Sequence, residues 1–162
     1  MDNEQNLILD VEYKIIHLML NHKDAVEELI DSKITAEFFC PDNAPLVKYI
    51  FEEYVSSNKK RLLTETHYFE ILKKLYQINP TFDIAASMNV YNVCSFATTN
   101  LDDLGLLKKQ LVDSYITIKS LALLDKFAID KKKHGSNYAA QCLRDSLSLI
   151  LNLTEVGESK MS

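Results

Sequence analysis

Apolar residues recur at intervals of three and four along nearly the whole chain, the periodicity of helices that bury one stripe. The first stripe, Ile8, Val11, Ile15, Leu18 and Met19, predicts a helix from Leu7 to Asn21. After a break at Asn21-His22-Lys23, a shorter piece from Asp24 to Asp31 carries Val26, Leu29 and Ile30, and Asp24 can cap its first turn. Ile34 to Pro41 reads as a helical turn ending in a bend. Asp42 or Asn43 then caps a helix with Pro45 in its first turn, where a missing N–H costs nothing. That helix holds Leu46, Val47, Ile50, Phe51 and Tyr54 on one face and stops at the polar run Ser56 to Lys60. Thr64 opens the next, with Tyr68, Ile71, Leu72 and Leu75 inward, and Pro80 ends it. A further helix, about Phe82 to Phe96, holds Ile84, Met88, Tyr91 and Val93.

The last third changes character. Asn100 is a good N-cap, and Asp102 and Asp103 place acid in a first turn. From Leu101 to Lys133 only Gly105 interrupts, at a cost of ~1 kcal/mol. At a rise of 1.5 Å per residue this helix extends on the order of 50 Å. Lys131, Lys132, Lys133 and His134 lie over its negative end, Gly135 suits the αL position that follows, and Ser136 or Asn137 caps the next helix. The final helix, about Tyr138 to Leu153, has Leu143, Leu147, Ile150 and Thr154 on one stripe. The short connection makes an αα-hairpin, in which Thr117 to Lys133 pairs with Asn137 to Leu153. The expected plan is a helical head over residues 1–100, then a stalk (101–116) and hairpin reaching residue 154, and a polar tail over 155–162.

Two helices cover only one face of each other, and this hairpin has apolar positions to spare. Leu107, Leu111, Ile118 and Leu121 follow near-heptad spacing. A second copy of the chain is the simplest cover. Leu111, Tyr115, Ile118 and Leu121 on the long helix, with Leu143, Leu147 and Ile150 on the last, are therefore the expected subunit interface.

Composition sharpens the fold class. Glycine and proline total six in 162 residues, against the roughly 12% of average usage. Sheets with tight turns need those residues, so an all-α fold is expected, a multi-helix head followed by the hairpin. The glycines are Gly105, Gly135 and Gly157, and neither a Walker A loop nor a GxGxxG can be written with them. With 18 basic and 23 acidic residues the net charge is −5, the opposite of the surplus that carries an autonomous nucleic-acid binder. Cys40, Cys94 and Cys142 are widely spaced and odd in number, which reads as reduced thiols in a cytoplasmic protein. No apolar run approaches the ~20 residues of a membrane span.

No catalytic residue, no cofactor and no metal is expected from the residues present. His17 and His22 are five apart across a break, and no HExxH is present. His17 falls opposite the apolar stripe of its helix and reads as a solvated histidine. Glu65, His67, Asp102 and Asp103 sit in first turns, where acid is a routine dipole partner. No serine stands in a GxSxG elbow. The run Lys131 to His134 reads first as a helix C-terminus, and the tyrosines and phenylalanines, set among aliphatics, as core.

The order of these features resembles a known family. Val11-Glu12-Tyr13-Lys14-Ile15-Ile16-His17-Leu18-Met19-Leu20 is followed by the short helix Ala25 to Ile30. Then come Ile34-Thr35-Ala36-Glu37-Phe38-Phe39, a Pro/Asp/Asn bend and Leu46-Val47-Lys48-Tyr49-Ile50-Phe51-Glu52-Glu53-Tyr54. With the helix from Thr64, the helix Val90 to Phe96, the turn Ala97 to Asn100 and the hairpin, this resembles the N-terminal domain and linker of DnaB-like replicative DNA helicases, in a divergent, phage-like or plasmid-like form. The resemblance implies a collar on a hexameric ring, built as a trimer of dimers through paired hairpins. It also implies docking of primase or a helicase loader on that collar. ATP hydrolysis and nucleic-acid binding would belong to a RecA-like domain following the tail. The alternative is a free-standing helical adaptor, a loader or inhibitor that binds a helicase collar in trans. A reading frame that continues past Ser162 into a strand and GxxxxGK[ST] would separate the first from the second. A helical metal-dependent hydrolase ranks third.

Overall fold

Helix α1, Asn3–Asn21, is the hub of the head: it touches α2 (Lys23–Asp31), α3 (Ala44–Ser56), α5 (Ile84–Ser95) and α6 (Leu104–His134). The computed structural model describes residues 3–159 other than Ser57 and Lys59, with side chains from Leu7 to Asn152. α4 (Glu65–Ile78) and α7 (Ser136–Ser159) complete an all-helical chain, with no strand among the described residues. None of these helices is long and apolar enough to cross a membrane. Because neighbours surround it, α1 buries Ile15, Ile16, Leu18 and Met19 completely, more than the single stripe of a surface helix.

Local chemistry sets the boundaries. Thr64 Oγ1 accepts from the His67 N–H, Asp83 Oδ1 from the Ala86 N–H, and Asn100 Oδ1 from the Asp102 N–H. Each satisfies one of the donors left open at a helix start. The Asp83 cap starts α5 at Ile84 and leaves Phe82, expected as its first residue, outside. Asn100 first opens a 3₁₀ turn, Leu101–Asp103, which runs on into the 31-residue α6. Ile34 to Pro41 contains only one 3₁₀ turn, Ala36–Phe38. α2 ends with Lys33 at φ 63°, its N–H bonded to Ile30 O and the Ile34 N–H to Leu29 O, the left-handed closure usually given to glycine.

His17 is half-buried, not solvated. Its Nδ1 lies 3.1 Å from both Cys94 O and Ser95 O and donates to these last carbonyls of α5. The side of α1 opposite its apolar stripe is covered by the end of α5, which a single-helix projection could not show. Asn43, expected as a cap for α3, is buried and turns its Nδ2 onto Glu12 Oε1 at 2.9 Å. The same oxygen accepts from the Cys40 N–H, so the bend before α3 is tied to α1.

Residues 101–116, read as a stalk, pack into the head instead. Leu104, Leu107, Lys108, Leu111, Val112 and Tyr115 are buried there, along α1 and the 3₁₀ turn. Tyr115 stacks on Phe38 with centroids 4.1 Å apart. The apolar spacing that suggested a free face is the sixth helix of the head core. A second aromatic group joins α3, α4 and α5, where Tyr68 lies against Tyr49 and Tyr91.

Candidate functional site

From the head, α6 runs on into a hairpin with α7, the element it packs against most extensively. Gly135, at φ 90° and ψ 168°, makes the reversal, a backbone region essentially reserved for glycine. It differs from the expected αL geometry, and α7 begins at once with Ser136, so neither Ser136 nor Asn137 stands before the helix as its cap. Near the turn Ala139 is fully buried and lets the two helices close up. Farther along, Leu123, Phe127, Cys142, Leu143, Leu147 and Ile150 are half-buried along the seam side. α7 extends through Ser159 over much of the expected polar tail, and residues 160–162 lie outside the described ones.

The seven expected interface residues fall in three places. Leu111 and Tyr115 belong to the monomer's head core. Leu143, Leu147 and Ile150 follow the stripe of α7 that contains Ala139 and Cys142, the side turned toward α6. Ile118 and Leu121 are bare, 56% and 58% exposed. Ile118 also lines an open groove at the junction with the head, formed with Leu7, Ile8, Val11, Gln110, Asp113, Ser114 and Thr117. Leu124, Ile129, Leu149 and Leu151 are also more than half exposed. What marks them is their position on α6 and α7 outside the seam.

The polar groups inside the head hold structure together. Glu12 is buried by its bonds to the bend, and Lys108 by its bonds to Glu28 and Ser32. Both stand inside apolar stripes, Glu12 with Ile15, Ile16 and Met19, and Lys108 with Leu104, Leu111 and Tyr115. A charge in such a stripe is a readable signal of a buried polar tie. Burial, and then the Glu12 carboxylate, push the Cys40 thiol up to about 11 and the Cys94 thiol up to about 12. At neutral pH both are protonated and poor nucleophiles. No cluster of His, Cys, Asp and Glu among the described residues is arranged to hold a metal ion. His67 Nε2 meets Glu53 Oε2 at 3.1 Å, a bridge between α4 and α3.

The chain matches no family model, no curated protein and no solved structure.

Proposed function

We propose that this chain is an oligomerisation and partner-docking module of the collar type found in hexameric replicative helicases. In this reading, hairpins of neighbouring copies pair with each other. The assembled collar then offers a surface to primase or a helicase loader. The helix order of the sequence supports the family, and the observation that carries the interaction reading is the bare pair Ile118 and Leu121. They stand on a two-helix arm whose own seam stays half-open. Taking one such side chain from half exposure to full burial contributes about 1 kcal/mol. Association itself costs at least ~4 kcal/mol, so the pairing must engage several positions along both helices.

Light scattering across a concentration series tests it. The chain should be a dimer or larger at micromolar concentration, and Leu121→Glu should weaken the assembly at least tenfold while keeping the helical circular dichroism. A mass of 18.6 kDa at every concentration would overturn the reading.

A further inference from the structure

The tip of the hairpin is charged out of proportion to its place in the fold. Residues 1–100 carry 9 Lys and Arg against 15 Asp and Glu, whereas residues 117–152 carry 6 against 3. Lys131, Lys132 and Lys133 are consecutive and exposed, and none of the three has an ion pair among the described residues. The nearest acid in the chain, Asp130, is half-buried and faces Lys126 at 3.9 Å.

Helix capping does not account for three cations. The last turn of α6 is closed by backbone, through the Gly135 N–H to Lys131 O at 3.1 Å. A helix C-terminus presents about half a negative charge, and the adjoining start of α7 presents about half a positive one. The two nearly cancel, which leaves the lysines in excess. Nor does the acidic head neutralise them. His134 lies nineteen residues beyond Tyr115, about 28 Å along the helix, and charges are screened over about 8 Å at physiological salt. The same tip offers an aromatic: Tyr138 is 51% exposed and meets His134 at 4.7 Å with the rings tilted 52°.

The geometry points to a weak contact site for single-stranded nucleic acid at this tip, with Lys131, Lys132 and Lys133 on phosphates and Tyr138 stacking on a base. Three consecutive lysines fan through about 200° around the helix end. That spread suits a flexible strand that bends around the tip better than a rigid duplex. An exposed tyrosine beside the cations favours bases over carboxylates, because stacking needs the broad π face that a base has and a carboxylate lacks. The contact is independent of the collar reading, since it requires only one copy of the tip.

Fluorescence anisotropy of the full chain with labelled dT20 and rU20 tests it, from 50 to 200 mM salt. Three neutralised phosphates on a single strand give a slope near −2 on a log–log plot, so affinity should fall roughly twentyfold over that range. The two oligomers separate DNA from RNA as the preferred strand, and binding of either supports the site. The triple variant Lys131→Gln, Lys132→Gln, Lys133→Gln should lose binding and its salt dependence with unchanged circular dichroism. Tyr138→Ala should weaken oligomer binding about fivefold. Three results would overturn the proposal. One is no binding at 50 mM salt, and another is equal binding by the triple variant. The third is polyglutamate or anionic vesicles bound as tightly as the oligomers with no effect of Tyr138→Ala, which would make the tip a general polyanion contact.

Discussion

The ammonium of Lys108 lies 2.7 Å from a carboxylate oxygen of Glu28, 80 residues earlier in the chain, and also donates to Ser32 Oγ. Lys108 is 1% exposed, whereas the Glu28 side chain keeps 38% of its surface in water. The pair joins α6 to α2 at a point where every neighbour on the α6 stripe is apolar.

Glu28→Ala should therefore destabilise the chain by about 2 kcal/mol, because it leaves a buried ammonium with one hydroxyl for a partner. Lys108→Met removes the charge and fills similar space, and should cost clearly less. Urea unfolding of both variants checks the order. Equal losses would mean that packing, not the buried charge, governs this site.

Leu147→Glu should behave differently from Leu121→Glu. Leu147 is half-buried on the stripe of α7 turned toward α6, so a carboxylate there opens the hairpin of each monomer before any second copy is involved. Loss of part of the helical signal near the C-terminus is expected, with the head's cooperative melt retained. Circular dichroism melts of the two variants side by side make the comparison; a Leu147→Glu variant with wild-type helicity would place that residue outside the seam.

Backbone at positive φ gives two changes of opposite sign. Lys33→Gly relieves a left-handed residue at φ 63° and should stabilise by about 0.5–1 kcal/mol. Gly135→Ala meets no atom within 4 Å of the new Cβ. It should still destabilise by about 1–3 kcal/mol, because the conformation itself disfavours an L side chain. Denaturant midpoints measure both.

High pH should unfold the chain through its thiols. In the unfolded state Cys40 and Cys94 lose protons near the ordinary cysteine value, about 8.5. The folded state holds them to about 11 and about 12. Above about pH 9 the unfolded chain thus binds fewer protons, and stability falls as pH rises toward those values. Below about pH 7 these groups contribute almost no slope. Melting temperatures at pH 8, 9 and 10 follow the decline, and Cys94→Ala should reduce it. With a thiol reagent at pH 8, Cys94, which has no exposed surface, should react only after unfolding.

Much of this fold was legible because helix ends are local. Thr64 and Asn100 each bond within three residues, and Gly135 reverses the chain where its backbone freedom is required. The hairpin followed from the same signals. What was not legible depends on which element covers which face. Periodicity shows that Leu111 and Tyr115 need cover, but not that α1 and Phe38 supply it within the monomer. Glu12 bonds 28 and 31 residues away and His17 bonds 77 and 78 residues away. Spacing along one helix carries no trace of such partners.

α6 passes from the head core to the hairpin tip as one uninterrupted helix, and this makes the arm a lever. Its inner third is clamped against α1 from Leu104 to Tyr115, and its outer reach is about 28 Å. A rotation of about 10° where the helix is held would sweep the tip by about 5 Å, without any change in φ or ψ along the way. Conversely, a load applied at Lys132 is delivered to the joint between α1 and α6, where the groove of Leu7, Ile8 and Val11 opens. The hairpin tip is thereby mechanically close to the head.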